Sequence, residues 1–250
     1  AQKKLAGLGY TDVWSAETTG TGPNGFVVTG RDGSEYENRY KTWQRCDAYG
    51  ELLAEQAFEA LSSTTEVTGE LRFSRVRYRA PVENRAFHVG FLNGWFDRAL
   101  YDFDENAEFS DDNLPHLETE VAVVRFGPLA WVTAPGELFP EVWVGYDVSQ
   151  SFGVPTISDD NPNPPDLSKA PAGPYLKEIV GVEYPMLLGL TPDETGYMVP
   201  PYDFELHATA PYISQADGDH YEETNSIGPA AVPMYLEHVG GLLQFEKARD

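Results

Sequence analysis

Apolar residues recur along this chain with two different periods, and the changes of period mark its elements. In the first forty residues neither period holds. Gly20, Gly22, Pro23 and Gly25 interrupt the chain before a short strand-like run at Phe26–Thr29. From Asn38 to Leu61, Trp43, Cys46, Tyr49, Leu53, Ala57 and Leu61 return every three or four residues, which predicts an amphipathic helix closed by Ser62, Ser63 and Thr64. An alternating stretch follows, with Val67, Leu71, Phe73, Val76 and Tyr78 expected on one face of a strand and Arg72, Arg75 and Arg77 on the other. Residues Asp102–Asn113 form an acidic loop. Val121–Phe126 and Leu129–Thr133 flank Gly127-Pro128 and are rich in β-branched residues, the pattern of a buried hairpin. A helix is predicted from near Pro140, carrying Val142, Trp143 and Tyr146, because proline suits a first helical position. Residues Asp159–Pro174 hold five prolines and read as a loop. Ile179–Leu190 is apolar again, Thr191–Asp219 is irregular, and Ala230–Ala248 has helical character. Helical and strand patterns alternate, so the expected fold is α/β, a mixed β-sheet core with flanking helices and long irregular loops.

The length of 250 residues allows one sizeable core and does not require two domains. With 41% hydrophobic and 13% aromatic residues the chain is expected to be globular. No window approaches the run of about eighteen apolar residues that a membrane span needs. The basic pair Lys3-Lys4 is not followed by the apolar run of a signal peptide. Forty acidic residues against 17 basic ones give a net charge of −23, which repels phosphate backbones and anionic lipid and argues against nucleic-acid binding. The single cysteine, Cys46, excludes an internal disulfide, and its place on the apolar helical face predicts a buried inert thiol.

The sequence contains no His-Glu-x-x-His, no Gly-x-Ser-x-Gly and no P-loop. Its histidines, His88, His116, His207, His220 and His238, form no close-spaced ligand pair. Asp159, Asp160, Asn161 and Asp166 have the chemistry of a calcium cage, but an ordinary solvated loop is the stronger expectation. Two segments stand out. One is a buried strand ending in Pro135-Gly136-Glu137, which places a carboxylate at a strand's C-terminal end; a helix-dipole role for Glu137 competes with that reading and weighs slightly more. The other is the pair of aromatic loops Gly196-Tyr197-Met198-Val199-Pro200 and Tyr221–Pro229, which line a ligand site or anchor their own loops.

Three segments carry a resemblance: "LETEVAVVRFGPLAWVTAPGELFPE", "GLTPDETGYMVPPYDFE" and "YEETNSIGPAAVPMYLEHVGGLL", in that order, with "YGELLAEQAFEAL" before them. Over about residues 40–250 this resembles the second half of the catalytic domain of the neutral ceramidase-like family of zinc amidohydrolases, so residues 1–250 are expected to be a C-terminal portion of such a domain. The resemblance implies zinc as cofactor, with Glu137 and Tyr197 as two of its ligands and Tyr221 as a catalytic tyrosine beside the reacting carbonyl. It implies an N-acyl lipid substrate such as ceramide and a secreted or periplasmic location. The family's histidine-bearing segment and its serine segment are absent, and Asp159–Pro174 has the look of an insertion between Glu137 and Tyr197. A companion N-terminal chain or segment of the same protein is therefore expected to supply two histidines and the serine, leaving this chain inactive alone and with an exposed sheet edge and core face. A non-catalytic binding module on the same fold, and a zinc hydrolase of a non-lipid amide or ester, are the alternatives.

Overall fold

The computed structural model describes residues 26–29, 35–38, 43–107, 110–146, 161–218 and 220–247. The chain divides into two compact units, Ala1–Glu66 and Val67–Asp250. In the first, β1 (Phe26–Thr29) and β2 (Glu35–Asn38) pair antiparallel, with Phe26 opposite Asn38. Helix α1 spans Trp43–Leu61. It starts later than the periodicity implies, because Asn38 belongs to β2. The expected buried face is not found over its second half, where Leu53 and Leu61 are 65% and 62% exposed. The Cys46 side chain lies outside the described residues.

The second unit has an α/β fold built on a four-stranded mixed sheet in the order β3 (Leu71–Pro81), β4 (His116–Phe126), β5 (Leu129–Thr133), β7 (Tyr184–Leu188). The first three strands are antiparallel neighbours, and β7 lies parallel to β5 with Ala130 opposite Pro185. The predicted hairpin around Gly127-Pro128 is β4–β5. Its inner face is the core: Tyr78 and Ala80 from β3, Leu117, Val121 and Val123 from β4, Ala130 and Val132 from β5. After the short helices α3 (Pro140–Val144) and α4 (Leu176–Val180), the long C-terminal helix α5 (Ala231–Lys247) covers that face with Val232, Tyr235, Val239 and Leu243. The Tyr235 hydroxyl donates to the Thr133 carbonyl at 3.2 Å, so a fully buried phenol is also satisfied.

The outer face departs from the expected pattern. The β3–β4 register runs unbroken from Leu71↔Phe126 to Pro81↔His116, so Leu71 and Phe73 fall on the same side as Arg75, Arg77 and Arg79. Arg75 and Arg77 reach Glu120 at 3.1 and 3.2 Å, and Arg79 reaches Asp102 at 3.0 Å. Leu71 and Phe73 are exposed beside this charged ladder.

Helix α2 (Arg85–Leu92) has no counterpart in the sequence reading. Fully buried Asn84 caps it: Oδ1 accepts from the amides of Ala86 and Phe87, while Nδ2 donates to the carbonyls of Thr224 and Ser226 at 3.2 and 2.8 Å. The amides of Glu83 and Asn84 also donate to the Ile227 carbonyl. One side chain thus starts α2 and pins it to a distant turn.

Replacing Asn84 by Ala removes a cap worth about 1 kcal/mol. It also strands two carbonyls in the interior, at about 1–3 kcal/mol. Chemical denaturation should show Asn84→Ala destabilised by about 3 kcal/mol, and Asn84→Asp, which keeps the cap but sets a buried carboxylate against the Thr224 and Ser226 carbonyls, by at least as much. A loss below about 0.5 kcal/mol for Asn84→Ala would contradict this account.

Candidate functional site

The site grows from the C-terminal ends of the parallel pair β5 and β7. Past Thr133 the chain enters the buried segment Ala134-Pro135-Gly136, and past Leu188 it turns back beside it. The amides of Ala134, Leu190, Thr191 and Thr195 donate to the carbonyls of Leu188, Gly136, Ala134 and Pro135, at 2.8–3.0 Å. The Thr195 hydroxyl adds a bond to the Pro135 carbonyl at 2.7 Å. The two segments then re-form as a short parallel pair, β6 (Glu137–Leu138) and β8 (Tyr197–Met198), with Glu137 directly opposite Tyr197.

Two glycines make that approach possible. A Cβ on Gly136 would run into the Gly196 carbonyl, and Gly196 itself has φ 86°, where a Cβ would overlap the Asn225 carbonyl. Gly196 bridges to Ser226 on its other side. Three segments far apart in sequence therefore meet backbone to backbone, and Tyr221 arrives with the third, as the residue leading into the 3-10 turn Glu222–Asn225.

All three expected site residues line one cavity of about 340 Å³. Tyr197 stands opposite Glu137 across the strand pair, and its ring meets the Tyr221 ring edge-to-face with centroids 5.8 Å apart. Tyr221 is 50% exposed, and Glu137 is exposed at the cavity mouth. Burial first, then the negative charge of Glu137, with Tyr221 and Glu222 adding to it, push the Tyr197 phenol above its ordinary pKa. The helix-dipole role weighed for Glu137 is not what the structure contains. Glu137 lies in β6, the short helix α3 (Pro140–Val144) begins beyond it, and Glu141 is the acid in that helix's first turn.

Much of the remaining wall was not legible as a site. Phe87 and Phe91 from α2 stack edge-to-face on Phe96 at 5.6 and 5.1 Å, and Leu117 and Ile227 close the apolar side. The signal present in the sequence was Asn84 as a cap followed by Phe87 and Phe91 at helical spacing. On the polar side Arg98 grips Asp193 with both terminal nitrogens, at 3.0 and 2.8 Å, and donates to the Glu118 carbonyl. Asp193 also accepts from Thr119, and Glu194 accepts from the Gly196 amide at 2.7 Å. These bonds hold the loop that delivers Tyr197.

None of the histidines lines this cavity. Buried His88 contacts the Val82 carbonyl, His116 the Leu114 carbonyl, His207 accepts from the Ala210 amide, His238 stacks on Tyr78, and His220 pairs with Glu223. Among the described residues no group of three His, Cys, Asp or Glu is placed to hold a metal. Asn161 and Asp166 of the acidic, proline-rich loop accept from Asn163 and Ser168 within their own turns, and Asp159 and Asp160 lie outside the described residues. No described helix is long and apolar enough to cross a membrane. Comparison of the chain with protein-family models, curated proteins and solved structures finds no match.

The geometry sets the acidity of Tyr197. An NMR titration of ring-labelled tyrosine should place its midpoint above the value of about 10 for a free phenol. Glu137→Gln removes the opposing charge and should bring the midpoint down. A Tyr197 midpoint indifferent to that substitution would mean that the two groups do not interact.

Proposed function

We propose that this chain is the C-terminal portion of a ceramidase-like catalytic domain, a zinc-dependent amidohydrolase that cleaves the N-acyl amide bond of ceramide-like lipids. A preceding polypeptide completes it with two histidine ligands and the active-site serine. The observation that carries the reading is the register of Glu137 against Tyr197, a carboxylate and a phenol paired across adjacent strands and lining a cavity that also holds Tyr221.

The donor set fits half of a zinc site. Two oxygen donors converge from adjacent strands, and both are hard ligands suited to share zinc with imidazoles. Bound zinc supplies polarisation of a carbonyl and acidification of a water. The residues of this chain do the rest. Glu137 brings fixed negative charge, and Tyr197 gives up its proton on binding, which makes metal affinity rise with pH. Tyr221, half-exposed beside them, donates its hydroxyl to oxygen charge developing on the scissile amide. Phe87, Phe91 and Phe96 form an apolar wall that excludes water and receives an aliphatic chain. The exposed outer face of the sheet, with Leu71, Phe73 and Tyr184, is the surface on which the preceding polypeptide packs in this reading.

The test is bound zinc and N-acyl hydrolysis by the chain together with its preceding polypeptide. Glu137→Gln keeps the shape and removes the charge, so zinc content and turnover should fall together, both at least about tenfold. Folding of the assembly should change by no more than about 1 kcal/mol. A variant that keeps full zinc would sink the assignment. A wild-type assembly that folds, retains the cavity and takes up no zinc would instead favour a binding module.

A further inference from the structure

His220 is 3% exposed, and its ring nitrogens face a carboxylate oxygen and a backbone carbonyl, both of which only accept while Glu223 is ionised. Nδ1 lies 2.7 Å from Oε1 of Glu223, and Nε2 lies 2.8 Å from the Asn163 carbonyl. A neutral imidazole has one N–H and one bare lone pair, so it satisfies only one of these contacts and sets a lone pair against the other oxygen. Both are satisfied only when each nitrogen carries a proton. Glu223, 2% exposed, supplies the matching negative charge, and its Oε1 also accepts from the Glu205 amide at 3.1 Å. The clasp therefore joins three segments. Asn163 is held in turn by its side-chain donation to the Asp217 carbonyl at 2.6 Å, and Glu223 lies within the 3-10 turn that follows Tyr221.

Tyr221 sits between the two halves of this pair. The Tyr221 carbonyl accepts from the Thr224 hydroxyl at 2.7 Å, which closes the turn on itself. We propose that His220 is a positioning residue for Tyr221: a buried imidazolium, clasped between Glu223 and the Asn163 carbonyl, that fixes the turn presenting Tyr221 to the cavity. Its relevance to turnover rests on the role proposed above for Tyr221, while the clasp itself is a matter of geometry. The groups that face His220 are Glu223 on its own turn, the Asn163 carbonyl on the proline-rich loop and Asp203 on the loop after β8. Burial by itself draws the His220 pKa down. The hydrogen bonds to Glu223 and Asn163, with the charges of Glu223 and Asp203, outweigh it and hold the ring above ordinary imidazole. Asp203 is pushed up to about 7, chiefly by burial; His220 opposes that rise, and Glu223, Glu141 and Glu222 add to it. A folded-state pKa raised above the unfolded value stabilises below the unfolded value and is lost as pH rises through the folded one. The clasp consequently opens on the alkaline side.

The experiment is NMR of the full chain with 15N-histidine and ring-13C-tyrosine, which needs neither metal nor substrate. A failure of hydrolysis therefore leaves this result standing, and the reverse also holds. At pH 7 both His220 nitrogens should show imidazolium shifts. On raising the pH, the Tyr221 resonance should move with the His220 titration. In His220→Gln the Tyr221 resonance should already be displaced at pH 7, while that of the core Tyr235 stays put. Glu223→Gln, which keeps an acceptor, should lower the His220 midpoint by about one pH unit or more. A single neutral tautomer at pH 7, a Tyr221 resonance indifferent to His220→Gln, or an unmoved midpoint in Glu223→Gln would each overturn the proposal. The last reading serves if His220→Gln does not fold.

Discussion

The site depends on one backbone join. Sixty residues separate Glu137 from Tyr197, yet the segments that carry them run side by side. Backbone hydrogen bonds link them from Ala134–Leu188 to Phe139–Met198. Bringing distant segments together costs chain entropy, and a run of buried backbone bonds offsets it because each group would otherwise be left unpaired away from water. The join also carries the pairing beyond the four-stranded sheet into a separate two-stranded one. Strands β5 and β7 end, the chain bends at Pro135-Gly136 and Thr195-Gly196, and the pairing resumes as β6 and β8. Placing chemistry at the C-terminal ends of parallel strands puts it on a rigid edge that opens outward.

A second support comes from the opposite side. Asn84 and Glu83 tie the start of α2 to the Thr224–Ile227 segment, and Glu83 also accepts from the Ala230 amide just before α5. Helix α2 therefore cannot move without the Tyr221 turn, and the phenylalanine wall keeps its distance from the polar edge. The cavity is apolar on one flank and oxygen-rich on the other, an asymmetry suited to a substrate with an apolar chain attached to a polar reacting group.

Parts of this arrangement were legible in the sequence. The β4–β5 hairpin announced itself as two runs of β-branched residues around Gly127-Pro128, and α5 as a long apolar-periodic segment. The mixed α/β character followed from their alternation. The outer face of β3 was misread because Leu71 and Phe73 are apolar, and composition outweighed a strict two-residue period that the unbroken register enforces. Helix α2 was missed because eight residues, among them a buried Gly90 and His88, carry little periodic signal. On local pattern alone the helix-dipole reading of Glu137 outweighed a site role, because its nearness in sequence to Pro140 is visible and its strand pairing to Tyr197 is not. No local pattern encodes that pairing. The grouping of Glu137, Tyr197 and Tyr221 came into the reading through the ceramidase-like resemblance alone. The cavity now unites those residues on independent, geometric grounds. What that geometry holds in common with a metal site is the pair of oxygen-bearing side chains; this chain's own histidines line other parts of the fold, and the proposed reading takes its two histidine ligands from the preceding polypeptide.

The central claim is that Glu137 and Tyr197 act together on one zinc ion, and the proton on Tyr197 reports it directly. Without a metal, burial and then the neighbouring carboxylate oppose loss of that proton. Bound zinc would invert the balance, since a metal ion takes phenolate rather than phenol as its ligand. Ultraviolet difference absorbance at neutral pH, recorded as zinc is added to the chain assembled with its preceding polypeptide, should show a single tyrosinate forming in step with binding, and none in Tyr197→Phe. Zinc binding without a tyrosinate signal, or an undiminished signal in Tyr197→Phe, would contradict the account.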